Sequence, residues 1–401
     1  MTILIVKNFL KFNVESLLIA LIIIFSVSSG WLYVDYKGHS LNYDFLIRGT
    51  ILTLVLLIVV LLNIFKSSRL AILNIYVVPL IIYIVYILIV SILKGNLLNS
   101  VPSLIRLSTY ILFFLLCTNV SFTTKRVFWL LSFYFVIEGF LSYYLFDAGM
   151  FLNSMWRLGG PLGSANGYAA LFYIIYFGGL YFVLCGNKNF LPICIFSLVL
   201  ISFTGSRSIL ASVVILTILV LFLLNNIALK LFLCGIVIFL LLIFLYFIEI
   251  FSIYNRFSFL ITNESDSSSV FRKYIFNTYF DNISLNEIIF GLGLNGFPKW
   301  FEIKTGYEGV SPHFEWLAIF AEGGVIGTII YSMFLILVCC KIKKLFKLKI
   351  FSFFEAKNFV RITIITAPLI SFSLLNPFYF IGPMLFWVYI VALLFNEKQY
   401  G

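Results

Sequence analysis

The sequence predicts an all-α polytopic membrane protein, with about twelve transmembrane helices arranged around one long outer loop. Three observations predict it. Hydrophobic residues make up 62 % of the 401 positions and charged residues 11 %, whereas a soluble domain carries roughly 25 % charge. Apolar runs of about 20 residues, enough to cross ~30 Å of hydrocarbon, recur from one end of the chain to the other. The alternating strands of ~10 residues that build a membrane barrel do not appear.

In chain order the apolar runs predict spans over 12–34, 45–65, 70–93, 102–120, 126–147, 164–185, 189–204, 206–226, 229–251, 313–340, 358–376 and 378–396. The run 189–204 is short for a crossing. The first run has the look of a signal peptide, with "SVSSG" (26–30) as a cleavage site, but the many spans behind it favour an uncleaved helix. With the N-terminus inside, Lys7, Lys11, Lys66, Arg69, Lys125, Arg126, Lys188, Lys230, Arg361 and Lys398 all fall on the inner side. The short outer connections hold only Lys37, Arg48, Lys94, Arg106, Arg157 and Arg207. That asymmetry predicts both termini in the cytoplasm.

The chain thus reads as a single integral membrane domain over 1–401, with a large outer loop at 252–312 within it. A structured loop of this length in a compact domain is more often functional than incidental. The basic run "KIKKLFKLKIFSFFEAK" at 341–357 is read as a cytoplasmic loop on anionic lipid headgroups. The net charge of +11 does not imply a nucleic-acid partner, because most Lys and Arg residues flank apolar runs and set topology. The six cysteines form no CxxC pair and read as small core residues.

Polar chemistry gathers directly before three of the spans: "WRLGGPLGSANGYAA" (156–170), "FTGSRSILAS" (203–212) and "GVSPHFEWL" (309–317). By the parity of the spans, each begins a helix that runs inward from the outer face. Each therefore offers free N–H groups and a positive dipole end at the outer surface. Such N-termini are ready anion sites, and Arg157, Arg207 and the loop residue Arg272 add guanidinium groups that bind phosphate in a fork. The competing reading is ordinary interfacial capping, with Ser311 as N-cap, Pro312 at the first helical position and the arginines snorkelling to headgroups.

His313 is one of two histidines in the chain. At the second helical position the dipole disfavours imidazolium and keeps the ring neutral, the form that accepts a proton. A hydrogen-bonding interfacial histidine is the plainer alternative. Glu315 and Glu322, seven apart, share a helix face. Glu322, two turns into an apolar helix, needs a partner or a polar cavity, and Glu138 has the same need. Asn166 is an early-helix polar group that either contacts ligand or caps a turn. "GLGLNG" (291–296) matches a dinucleotide fingerprint in letters only, since Pro298 follows and no βαβ unit surrounds it. No Walker A sequence, HExxH motif or acidic cluster points to ATP or a metal, so no cofactor is expected.

These motifs in this order resemble a known family. "TGSRSILAS", "SVFRKYIF", "IFGLGLNGF" and "SPHFEWLAIFAEGGVIG" are similar to segments of the O-antigen polymerase and O-antigen ligase superfamily of bacterial inner-membrane glycosyltransferases. "GPLGSANGYAA" matches the family's Gly…Asn-x-x-Ala helix start, so the resemblance covers 156–327. It implies a GT-C-like helical fold, a periplasmic outer face and an undecaprenyl-pyrophosphate-linked oligosaccharide as donor. It also implies membrane lipids, a chain-length regulator and a flippase as partners, with no metal. Arg207 and Arg272 stand where the family's arginines hold pyrophosphate, and His313 where its loop histidine stands. The Asn that usually follows this histidine is Phe314 here, with Glu315 next, so Glu315 takes over its role or the site is arranged differently.

The chemistry implied is attack by an acceptor hydroxyl, with His313 as base and Glu315 as its partner or substitute. Arg207 and Arg272 stabilise the departing diphosphate, while Arg157 and Asn166 line the site. Trp300, Phe301, Tyr307 and Trp316 either stack on sugar faces or anchor the interface. A single displacement would invert the anomeric carbon. The expected function is polymerisation of lipid-linked repeat units, with ligation to the lipid A core as the first alternative. A lipid-linked oligosaccharide flippase is the second, but it would spread buried charge along a midplane path, whereas these clusters gather at one face.

Overall fold

A computed structural model of the chain describes residues 14–28, 78–119, 124–145, 158–159, 164–231, 233–235, 238, 267–312, 315–345, 355–368 and 381–396. Among these residues there is no β-strand, so the fold is all-α. The helices are α1 (Val14–Ser28), α2 (Val78–Leu93), α3 (Leu97–Asn119), α4 (Thr124–Leu145), α5 (Ala165–Leu184), α6 (Leu191–Thr204) and α7 (Arg207–Leu223). They continue as α8 (Ser267–Asn282), α9 (Leu285–Phe290), α10 (Phe297–Thr305), α11 (Glu315–Leu345), α12 (Ala356–Thr366) and α13 (Ile381–Asn396).

Two described helices, Ala165–Leu184 and Trp316–Phe334, are by themselves long and apolar enough to cross a membrane, and several others are apolar but shorter. α6 spans only roughly 20 Å, and a 3₁₀ turn at Lys188–Phe190 leads into it. α3 begins before the expected 102 and runs through Pro102. The expected spans 45–65 and most of 229–251 lie outside the described residues. On α1, Ile19, Ile22, Ile23 and Val27 are buried while Leu17, Leu21 and Phe25 are exposed. Both faces are apolar, as suits a helix with protein on one side and lipid on the other.

A large core forms around α5, which is buried on nearly every side, as an all-round apolar helix requires. Gly178 and Gly179 make the approach possible. A methyl group on Gly178 would run into Phe128 and Ile390, and one on Gly179 into the Cys194 sulfur. Small residues let helices pack closely where lipid supplies no hydrophobic drive. Tyr176 and Thr217 add a hydroxyl–hydroxyl bond of 2.9 Å between α5 and α7, the kind of intramembrane link that averages about 0.6 kcal/mol. At the far end of α5, Arg361 donates to the Tyr181 hydroxyl and lies 4.8 Å above its ring. Of the described cysteines, Cys117 and Cys194 are buried, but Cys234 and Cys340 are exposed, which corrects their expected place in the core.

A second, smaller core joins the outer segment to α11. Ile275, Tyr279, Leu292, Phe297, Trp300, Phe301, Leu317 and Ala321 bury together. The segment is locally well specified. Ser284 and Glu287 form a capping box at the start of α9, and Gly306, with φ 77°, ends α10 in the left-handed region. α11 is not the single helix expected over 313–340. It breaks at Gly324, whose φ of 62° and ψ of −166° leave the helical region.

Candidate functional site

Two of the three predicted helix mouths open at one end of the large core. Ser164 caps α5, its Oγ accepting from the Gly167 N–H at 3.2 Å, and Asn166 sits half-buried in the first turn. The α5–α6 connection is tight, so the start of α5 lies beside the end of α6. There the Leu158 N–H donates to the Phe203 carbonyl at 3.0 Å. Gly205, φ 59°, then turns the chain into α7, whose first residue is the half-buried Arg207. The buried Ser206 Oγ beside it has no hydrogen-bond partner among the described residues. Glu138, expected to need company, is buried with the Tyr134 hydroxyl donating to it at 3.4 Å.

The third mouth differs from expectation. Ser311 and Pro312 are non-helical, and α11 begins at Glu315, so neither acts as N-cap or first helical residue. His313, Phe314, Arg157 and the Glu315 side chain lie outside the described residues.

Arg272 is half-buried on α8, in the outer segment that packs on the first half of α11. Trp300, expected as a surface for sugar, is only 8 % exposed. Its indole packs edge-on to Tyr279 at 5.4 Å and lies 6.0 Å from Phe297, so it serves the small core. Tyr307 is 56 % exposed and meets Phe271 and the exposed Tyr274 edge-on. Tyr274 was missed in the sequence because a tyrosine in a mixed polar helix carries no periodic signal. Burial, and secondarily the charge of Glu287, raise the Tyr279 hydroxyl above the ordinary tyrosine range.

Buried polar groups gather at the break in α11, where the "GLGLNG" loop docks. The Leu292 and Gly293 N–H groups donate to the carbonyls of Ala321 and Glu322, both at 2.9 Å. The Tyr86 hydroxyl reaches the Phe290 and Gly323 carbonyls at 3.0 and 3.2 Å. Ser91 Oγ accepts from the Leu294 N–H at 2.8 Å, and Ser100 Oγ donates to the Leu294 carbonyl at 2.7 Å. Non-helical backbone at membrane depth is tolerated only when its polar groups are satisfied inside protein, and this loop satisfies them.

Glu322 lies at this break, 7 % exposed. Its carboxylate accepts from the Asn295 N–H and feels the charge of Arg106, while its Oε1 has no hydrogen-bond partner among the described residues. Arg106 is 8 % exposed and donates to Ser103 Oγ at 2.6 Å. The sequence does show two opposite charges inside apolar runs.

Comparison with known proteins bears on these elements. Residues 192–332 match the family model described as O-Antigen ligase. The matched stretch contains α6, α7, the outer segment and the broken start of α11, and it excludes the α5 mouth. No curated protein matches the chain, and no solved structure does. Over residues 192–332, the chain is similar to the O-antigen ligase family.

Proposed function

We propose that this protein is a surface-polysaccharide polymerase of the bacterial inner membrane. It transfers an undecaprenyl-pyrophosphate-linked glycan onto the next lipid-linked repeat unit at the periplasmic face. One observation carries the reading: the outer segment bearing Arg272 packs on the outward half of α11, whose first residue is Glu315. On this reading Arg272 works together with His313, which precedes the start of α11 in the sequence. The superfamily match supports an enzyme of the glycosyltransferase type acting on lipid-linked oligosaccharides.

In this mechanism His313 takes the proton of the acceptor hydroxyl, with Glu315 orienting the ring or standing in for it. The hydroxyl oxygen bonds to the anomeric carbon as the bond to pyrophosphate breaks. The departing electron pair stays on the diphosphate, which Arg207 and Arg272 stabilise. One displacement inverts the anomeric centre and requires no metal. Arg157 and Asn166 line the same opening. Tyr307, joined by Tyr274, supplies the exposed aromatic edge for sugar, while Trp300 supports it from the core. The surrounding architecture is a GT-C-like bundle of twelve spans over 1–401, with both termini cytoplasmic.

Ligation of finished polysaccharide to the lipid A core is the second reading, favoured by the description of the matching family. Deleting the gene and resolving the cell's lipopolysaccharide by electrophoresis separates the two. A single repeat left on the core marks a polymerase. Bare core with long lipid-linked chains accumulating marks a ligase, and an unchanged ladder would refute both. His313→Ala and Arg272→Ala are each expected to abolish chain extension, by at least ~100-fold for loss of a base, while the protein still inserts. Full activity in either variant removes that residue from the mechanism.

A further inference from the structure

α11 is apolar over Trp316–Phe334, and its break at Gly324 falls inside that stretch rather than at its end. Helix geometry sets the depth of this junction, where α9 and the loop after it dock on α11. α11 runs on into the basic run that starts at Lys341. Crossing ~30 Å of hydrocarbon from there takes about 20 residues, so the outer edge lies near residue 321. Counted instead from Trp316, Gly324 is ~12 Å below the edge. A second helix agrees. Tyr86 of α2 donates to the Phe290 and Gly323 carbonyls, and it stands ~12 Å along the helix axis from the exposed Lys94 in the α2–α3 turn. The end of α9 therefore lies roughly 5–12 Å inside the hydrocarbon.

The exposed side chains at this level are apolar. On α11, Val325, Ile329, Met333 and Ile336 are exposed about one turn apart, and on α2 Ile82, Val85, Ile89 and Ile92 form a similar stripe. Phe290, the last residue of α9, is 46 % exposed. It joins the α11 stripe, because Gly291 after it abuts Gly324, directly before Val325, so closely that a methyl group on Gly324 would strike the Gly291 nitrogen. Nearer the outer edge, the exposed Phe280 of α8 stacks on Phe320 of α11 at 6.1 Å, and the exposed Phe276 lies 4.6 Å from Phe280. The exposed polar residues Asp281, Asn282 and Asn286 gather in the turn between α8 and α9, about the length of α9, ~9 Å, from Phe290. The other flank of α8 turns Tyr274 to Tyr307.

We infer that α9 is a re-entrant element that dips into the outer leaflet, with Phe290 packed against lipid acyl chains and Phe280 at the hydrocarbon edge. The polar turn at 281–286 stays at headgroup level, and Tyr307 stays in water. The non-helical loop that follows meets the condition for such backbone at this depth, since the Leu292, Gly293 and Leu294 N–H groups are given to Ala321, Glu322 and Ser91. The outer segment is thus held by lipid as well as by its own core. This inference rests on the membrane crossing assigned to α11 in the proposed function, and not on the enzymatic reading.

The test places single cysteines in the full chain in a cysteine-free background, as Phe290→Cys, Phe280→Cys, Tyr307→Cys and Ile329→Cys. Each carries a nitroxide label in phosphatidylcholine bilayers, and collisions with oxygen, which enters hydrocarbon, are compared with those of a polar nickel chelate, which does not. The oxygen-to-nickel ratio at Phe290→Cys is expected to match that at Ile329→Cys and to exceed that at Tyr307→Cys by at least ~tenfold. Equal ratios at 290 and 307 would put α9 in water, and a label at 290 shielded from both reagents would mean that protein covers it. Either result overturns the inference. Should Phe290→Cys not accumulate, Phe280→Cys decides: a ratio above that at 307 supports the dip, and an equal one overturns it. If Ile329→Cys is itself not in hydrocarbon, the crossing of α11 fails and this inference with it. If Ile329→Cys is in hydrocarbon and Phe290→Cys is not, the re-entrant α9 alone fails. If the labels behave as expected while His313→Ala leaves chain extension intact, the enzymatic reading fails and the re-entrant α9 stands.

Discussion

At the scale of single residues, the junction depends on glycine at two facing positions. A methyl group on Gly291 would collide with the Glu322 carbonyl, and one on Gly324 with the Ile289 carbonyl and the Gly291 nitrogen. Both have positive φ, and Gly324 occupies a region open essentially to glycine alone. Gly306 also has positive φ but has open space around it. Alanine at Gly306 is therefore expected to cost about 1–2 kcal/mol from backbone strain. At Gly324 or Gly291 the collision adds to that strain, and the loss should exceed it by ~1–3 kcal/mol. Thermal unfolding of the purified variants in detergent measures the difference. Equal losses at Gly306 and Gly324 would mean that the close approach contributes nothing. Asn295, with φ 56°, is the one described non-glycine residue at positive φ, and asparagine tolerates that region better than most.

At the scale of elements, the outer segment behaves as a small helical layer with its own core, which explains why its aromatic residues divide in function. Trp300 fills the core, and Trp300→Ala is expected to cost about 3–5 kcal/mol. Such a loss would appear as rapid proteolysis of 267–312, and any effect on activity would follow from it. Tyr279 is equally central, but its hydroxyl has no hydrogen-bond partner among the described residues. Tyr279→Phe removes a buried polar atom that is not repaid, so it is expected to leave protease resistance unchanged or to raise it. Lower resistance would show that the hydroxyl is satisfied. The titration has a definite sign. Because the folded state raises this hydroxyl's pKa, its contribution is intact below about pH 10 and is lost as pH climbs further. Tyr279→Phe should remove that part of any alkaline loosening.

At the scale of the whole molecule, three buried clusters among the described residues share the work. The large one, around α5, carries Asn166 and Arg207, and the small one carries Arg272 and the start of α11. α3 contributes Tyr110 and Phe113 to the first, and its Leu104 packs against the third cluster, formed by Tyr83, Ile87, Leu294, Ile319 and Tyr331. The proposed topology makes a direct prediction. A cysteine placed at the exposed Tyr307 in a cysteine-free background should react with a membrane-impermeant thiol reagent in intact cells. One at Lys398 should react only after the inner membrane is opened. The reverse pattern would refute cytoplasmic termini and, with them, a periplasmic site.

Much of this molecule is legible in its sequence. Composition and run length determine an all-helical chain built for lipid, because no polar segment can hide in hydrocarbon unless its groups are satisfied. The polar motifs before α7 and α11, and their order, fall within the stretch 192–332 that is similar to the O-antigen ligase family. The lone carboxylate in "AIFAEGGVIG" already announces that Glu322 needs a partner. Tertiary structure alone decided that the Asn295 N–H of the docked loop meets it. Lipid tails are as apolar as a protein core, so a span such as α1 shows no amphipathic stripe to tell its buried face from its exposed one. Helix neighbours are consequently unreadable from periodicity. The break at Gly324 follows the same logic. A glycine pair inside an apolar helix is common enough to pass for packing, and only the loop docking against it, with N–H groups for the freed carbonyls, makes the kink stable.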